Sequence, residues 1–214
     1  MKKLLSILII LLLAGCGSKP TEPNRPAVKE PTVEEILTRG WTTFQNFQFT
    51  QSIQKFDSVL VREPDNIAAN VGKGWSLLLQ GSSHSQLILI CLEKGITDNT
   101  WKLDSQAGII AVKFNQGKYE EIASLVDLCL KDKADYVFRN QPEIDWHDLL
   151  LYKVQSLYFT KKYSLAWTTV RKLTSSYNYI DPQAADTWYV NDISYFSFEA
   201  VLSRIIQILS DLYR

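Results

Sequence analysis

The sequence predicts an all-α fold: a stacked array of helical hairpins closed by one further helix. Three observations carry that prediction. Gly40-Trp41-Thr42-Thr43-Phe44 returns as Gly74-Trp75-Ser76-Leu77-Leu78, displaced by 34 residues, and a fixed period of this size marks a stacked array. Shifting the first unit by 70 superposes Phe44 on Phe114, Phe49 on Tyr119, Phe56 on Val126 and Leu60 on Leu130. A further shift of 44 carries Phe114 to Tyr158, Tyr119 to Tyr163 and Val126 to Val170. Finally, Phe198, Val201, Leu202, Ile205, Leu209 and Leu212 recur at helical spacing near the C-terminus, as a cap over the last unit requires.

The chain has 214 residues, enough for a short array with a buried core. Its 23 basic and 23 acidic side chains cancel, and removing Lys2 and Lys3 with a leader leaves 21 against 23. That balance supplies no field for nucleic acid. Among the three cysteines, Cys91 and Cys129 stand alone in apolar segments and read as buried thiols by default. In an oxidising compartment they could pair only if their Cα atoms approached within about 7 Å.

Lys2 and Lys3 form a basic start, Leu4 to Leu13 an apolar stretch, and Ala14-Gly15 a small-residue cleavage zone. Ten apolar-rich residues are too few to span a bilayer, which needs roughly 20. Residues 17–32 carry Pro20, Pro23, Pro26 and Pro31 among polar residues, the composition of a tether. Thr32 and Glu35 then form a capping-box pair that opens a helix.

The first unit runs from Val33 to Asn66. Gly40 lets two helices approach closely, Ser52, Ile53, Phe56, Val59 and Leu60 form the second helix's stripe, and Pro64 stops it. Asp65 and Asn66 supply caps for the next helix. The second unit keeps Gly74, Trp75, Leu78 and Gly81, but its turn, Ser82-Ser83-His84-Ser85, is expected to hold one extra residue before a helix from Leu87 to Ile96. His84 sits beside serines there, but nothing completes a catalytic relay, so it reads as a solvated loop residue.

The third unit is clearest at Gln116-Gly117-Lys118-Tyr119. About ten additional residues separate it from the fourth, near 137–146, with Arg139, Asn140, Pro142, Glu143 and Asp145. They are either a tolerated loop or a partner-contacting insertion. The fourth unit has Val154 and Lys161 where glycines are expected. Asp181-Pro182 looks like a helix start, and Tyr177 to Phe198 is dense in aromatic residues.

The order Gly40, Trp41, Phe44, Phe49, Ser52, Phe56 and Pro64 resembles the tetratricopeptide repeat family. That resemblance implies a right-handed solenoid whose first helices line a concave groove. The groove positions carried over include Trp41, Gln45, Trp75, Leu79, Asn115, Gln155 and Phe159, and inter-repeat packing is the competing role for Trp41 and Trp75. Leu37 and Trp41 stand where some members place Lys and Asn to clamp a terminal carboxylate, so that clamp is not expected.

The order Leu13-Ala14-Gly15-Cys16 resembles a bacterial lipoprotein signal. It implies removal of residues 1–15 and acylation of Cys16, with palmitate or a similar chain, and multiple chains anchor stably. Gly17 in place of Asp favours the outer membrane, facing the periplasm.

The expected organisation is therefore a signal peptide (1–15), a lipidated Cys16 with its tether (16–32), four hairpins (33–179), and an aromatic-rich segment with a capping helix (180–214). The expected function is non-enzymatic: a scaffold for an envelope protein, held to the membrane by its N-terminal lipid. No cofactor, metal, nucleic acid or small-molecule substrate is implied, since no nucleophile elbow, metal spacing or phosphate loop occurs. Lipoproteins of this build resemble the pilotins of secretins and the repeat lipoprotein of the β-barrel assembly machinery. The alternative is a glycan or peptidoglycan binder using the rings from Trp188 to Phe198.

Overall fold

The computed structural model describes residues 29–213. The expectations for residues 1–15, for Cys16 and for most of the tether fall outside them. Nine α-helices account for most of the described chain: α1 (Val33–Gln45), α2 (Phe49–Arg62), α3 (Ile67–Leu79), α4 (Ser85–Glu93), α5 (Lys102–Asn115), α6 (Tyr119–Asp132), α7 (Trp146–Phe159), α8 (Tyr163–Leu173) and α9 (Phe198–Leu212). Each packs on the next from α1 to α8. The odd-numbered helices also pack on one another in sequence, α1 on α3, α3 on α5, α5 on α7 and α7 on α9. No helix among the described residues is long and apolar enough to cross a membrane.

Local chemistry explains where the helices begin. Thr32 and Glu35 form the capping box, with the Glu35 backbone N–H donating to the Thr32 hydroxyl and the Thr32 N–H to the Glu35 carboxylate. The Asn66 side chain accepts from the Ala69 N–H to start α3, and Asp145 with Asp148 repeats the capping box at α7.

Packing repeats as well. A Cβ on Gly40 would lie 2.8 Å from the Phe56 ring, and one on Gly74 would lie 2.8 Å from Leu92, so each glycine permits its hairpin's close approach. An aromatic pair brackets three of the turns in nearly one geometry: Phe44 and Phe49 at 5.6 Å, Phe114 and Tyr119 at 5.4 Å, Tyr158 and Tyr163 at 5.4 Å. Every hairpin turn also holds one left-handed residue at the same register: Phe47 (φ 59°), Gly81 (φ 78°), Gly117 (φ 72°) and Lys161 (φ 59°). Two of the four are not glycine and carry the Cβ strain of that conformation.

The structure departs from the sequence reading at two places. Five residues (80–84) separate α3 from α4 where three separate the helices of the other hairpins, so the second turn holds two extra residues, not one, and α4 runs from Ser85 to Glu93. No α-helix starts at Pro182. The Asp181 carboxylate instead accepts from the Gln183 N–H in a turn, and the chain continues into a short 3₁₀ turn at Ala185–Thr187. A two-stranded hairpin follows, β1 (Tyr189–Val190) with β2 (Ile193–Ser194), turned by Asn191 and Asp192, both at positive φ.

The main core runs from Phe44 to Leu209, and a smaller cluster of Ile36, Phe56, Val59 and Ala69 lies at the N-terminal end. α9 presents Val201, Leu202, Ile205 and Leu209 to α7 and α8 and buries them. Cys91 and Cys129 are both buried free thiols, and burial pushes Cys129 up to about 12.

Candidate functional site

The connection between α6 and α7 is where the chain departs from simple repetition. It is folded back against the odd-numbered helices. Val137 bridges Asp145, the Phe138 N–H donates to the Ile144 carbonyl (2.9 Å), and the Trp146 N–H donates to the Tyr136 carbonyl (2.9 Å). Tyr136 and Phe138, two apart on extended backbone, point the same way and are fully buried. Phe138 stacks on Trp75 at 4.6 Å and meets Phe44 and Trp41 edge-on at 5.8 and 6.5 Å.

Asp104 anchors this plug. Its side chain is 5% exposed; Oδ1 accepts from the Tyr136 hydroxyl and Oδ2 from Arg139 Nε, each at 3.2 Å. Arg139 also donates to the Thr100 carbonyl and lies over the Trp101 ring, 4.7 Å from its centroid. Burial pushes the Asp104 carboxyl up to about 6, against the lowering by Arg139. The same burial, helped by Asp104, raises the Tyr136 phenol well above its ordinary value.

Beyond the plug the odd-numbered helices remain open. A cavity of about 250 Å³, lined by Trp75, Leu79, Asn115, Ile144, Asp148 and Tyr152 among others, shares Asn115, Asp148 and Tyr152 with one of about 440 Å³. The larger cavity adds Phe114, Tyr119, Gln155, Phe159, Ser210 and Tyr213. Through Gln155, Phe159 and Ser210 it continues into a third of about 440 Å³ beside α9. The three make one cleft, whose only charged lining residues among the described ones are Asp148 and Asp211.

Five of the seven residues expected in a groove therefore line one cleft: Trp75, Leu79, Asn115, Gln155 and Phe159. Trp41 and Gln45 lie outside it. Trp41 is half-buried, stacked on Trp101 at 5.1 Å and 8°, and Gln45 is exposed. Trp75 is 2% exposed, covered by Phe138, and its indole N–H donates to the Asp104 carbonyl at 3.0 Å, so it contributes to the cleft wall chiefly as packing. At the open end, Phe159 is 53% exposed and stacks on Tyr119 at 4.6 Å. The Gln155 amide donates to Ser210 at 2.8 Å.

Sequence reasoning missed the plug and the contribution of Tyr119, Ser210 and Tyr213. The plug had a signal, the i, i+2 aromatic pair Tyr136 and Phe138. α9's polar residues had none, because the face that closes the cleft depends on how α9 docks.

The aromatic segment before α9 divides. Trp188 and Tyr195 are half-buried and pack on the core, Trp188 donating its indole N–H to the Asp181 carbonyl. Tyr179 and Tyr189 stack on each other at 4.9 Å with about two-fifths of each exposed, and Phe196 is fully exposed. His84 is exposed, its Nδ1 3.0 Å from the Ser82 hydroxyl. No group of three or more metal-ligating side chains occurs among the described residues.

Fold and cleft define a class: serially packed helices carrying a polar and aromatic cleft along one set. No family model, curated protein or solved structure matches the chain.

Proposed function

We propose that the chain is a non-enzymatic scaffold of the bacterial envelope, a right-handed tetratricopeptide-like solenoid anchored by lipid at Cys16, whose cleft holds a segment of a partner protein. The observation that carries this reading is the continuous cleft from Leu79 to Phe159, walled by Trp75 to Leu79 of α3, Ala107 to Asn115 of α5 and Asp148 to Phe159 of α7. A long, shallow, aromatic-rimmed cleft with side-chain amides suits an extended peptide or a helix better than a small molecule. The lipobox order ending at Cys16 supports anchoring, and Gly17 supports the outer membrane facing the periplasm.

The test has two parts. Replacing Cys16 by Ser should abolish incorporation of labelled palmitate and release the protein from membranes; unchanged labelling removes the anchor from the proposal. Replacing the exposed Phe159 by Glu should abolish co-purification of an envelope partner while leaving helicity unchanged. Retention of the partner would place binding elsewhere.

Glycan binding is the second reading, favoured by the exposed Tyr179, Tyr189 and Phe196. The Tyr179 and Tyr189 rings face each other, which leaves less free ring surface for a sugar. Retention of the purified chain on peptidoglycan, lost in Phe196→Ala, would turn the account toward it.

A further inference from the structure

Asp104 and Asp148 occupy the same position one unit apart. Each is the third residue of its helix, α5 or α7, and 44 residues separate them, the spacing that relates the third and fourth units throughout. Their surroundings differ. Asp104 receives a cation, Arg139, next in sequence to an aromatic ring, Phe138, that fills the adjoining space against Trp75. Asp148 receives backbone N–H groups, that of Asp145 on Oδ2 at 2.8 Å and its own, with His147 as the nearby cationic group, and no Lys or Arg pairs with it among the described residues. It faces both adjoining cavities. Beside it, the Phe114 and Tyr152 rings stand 4.9 Å apart and line the larger cavity.

We infer that the cleft takes a partner segment in which an aromatic residue is followed by Arg or Lys, the arrangement that Phe138 and Arg139 supply in cis one unit earlier. The inference rests on the scaffold reading and names the chemistry of its partner. The ring packs against Phe114 and Tyr152, and the cation meets the Asp148 carboxylate. Two further observations favour this occupant. The cleft's charged lining is wholly acidic, so a basic segment is complementary and an acidic one is repelled. Burial, and after it the Asp145 carboxylate, raise the Asp148 carboxyl against the lowering by backbone N–H groups and His147, so an arriving cation would favour its charged form.

The probe is the peptide acetyl-Gly-Ser-Phe-Arg-Gly-Ser-amide, titrated into the full lipidated chain in detergent micelles and followed by backbone amide spectra. Saturable shifts are expected at Asn115, Asp148 and Gln155. Replacing the peptide's Phe by Ala or its Arg by Glu should weaken binding about tenfold or more, the effect of losing one buried partner. In the protein, Asp148→Asn should weaken the Phe-Arg peptide by a similar factor, because its amide oxygen still accepts from the Asp145 N–H while the charge is lost; circular dichroism checks that it folds. Equal binding of the three peptides, shifts confined to other residues, or no shift at millimolar peptide would overturn the inference. A photocrosslinker at Phe159 in the native envelope separates the two levels. Capture of a protein segment lacking an aromatic–basic pair overturns this inference and leaves the scaffold. Absence of any captured protein, with the peptides binding in the stated order, supports the chemistry and removes the scaffold.

Discussion

The N-terminal and C-terminal halves of the odd-numbered helix layer are built on the same frame and end in opposite states. Around Trp41 and Trp75 the layer is closed by Phe138, fully buried, and locked by the Asp104 pair with Arg139. Around Tyr152 and Phe159 it is open, and a ring as large as Phe159 stays half in solvent. The frame does not account for the difference, since turns, aromatic pairs and capping boxes recur in both halves. A single connection of 13 residues between α6 and α7 accounts for it. In arrays of this kind the repeats supply a surface, and an insertion decides which part of that surface remains available.

The largest expected effect comes from removing the plug's ring. Phe138→Ala deletes a fully buried side chain against Trp75, Trp41 and Phe44, and should cost about 3–5 kcal/mol of unfolding free energy. A cost under about 1 kcal/mol in denaturant titration would mean the loop only rests on the layer, and the contrast between halves would weaken. Phe159→Glu, by comparison, should cost only about 1 kcal/mol, because half the ring is in solvent and the stack on Tyr119 is its main contact.

The anchor under the plug gives a pH signature of intermediate size. The folded-state pKa of Asp104 is raised from 3.8 to about 6, so the folded chain binds the proton more tightly than the unfolded chain. This contribution is fully present below about pH 4 and is lost as pH rises through about 6. A shift of this size corresponds to about 3 kcal/mol. Asp148 is raised as well and acts with the same sign. Asp104→Asn keeps an acceptor for the Tyr136 hydroxyl and should flatten most of the fall in stability between about pH 4 and 6. An unchanged pH profile would remove Asp104 as its source.

Small effects are also expected in the turns that both halves share. Lys161→Gly and Phe47→Gly should each stabilise by about 1 kcal/mol, since both residues hold the left-handed conformation that Gly81 and Gly117 adopt without a Cβ. Gly117→Ala should cost a similar amount, measured by the same denaturant midpoints.

These particulars also mark what could be read before the structure. The hairpins were legible because Gly40 and Gly74, Phe44 and Phe114, and Phe49 and Tyr119 recur in register, and a buried stripe leaves its period in the sequence. The left-handed turns were legible at Gly81 and Gly117 and silent at Phe47 and Lys161, where tertiary packing holds a residue that local preference would not choose. The plug was read as either a tolerated loop or a partner-contacting insertion, on the strength of Arg139, Asn140, Pro142, Glu143 and Asp145. Its meaning lay in Tyr136 and Phe138, whose shared face matters only once a fold gives it something to cover. Of the cleft, the α3, α5 and α7 positions followed from the repeat. The contribution of α9 and the residue that follows it, Ser210 and Tyr213, depends on a docking angle that no periodicity encodes.

The decisive measurement compares photocrosslinking from Gln45 and from Phe159 in the native envelope, one position beside the closed half and one in the open half. If the open half is the binding surface, Phe159 should yield one dominant crosslinked envelope protein and Gln45 none. Crosslinks to the same protein from Gln45 alone would mean that the plugged half is the working surface and that Phe138 yields to the partner, contradicting the division of labour argued here.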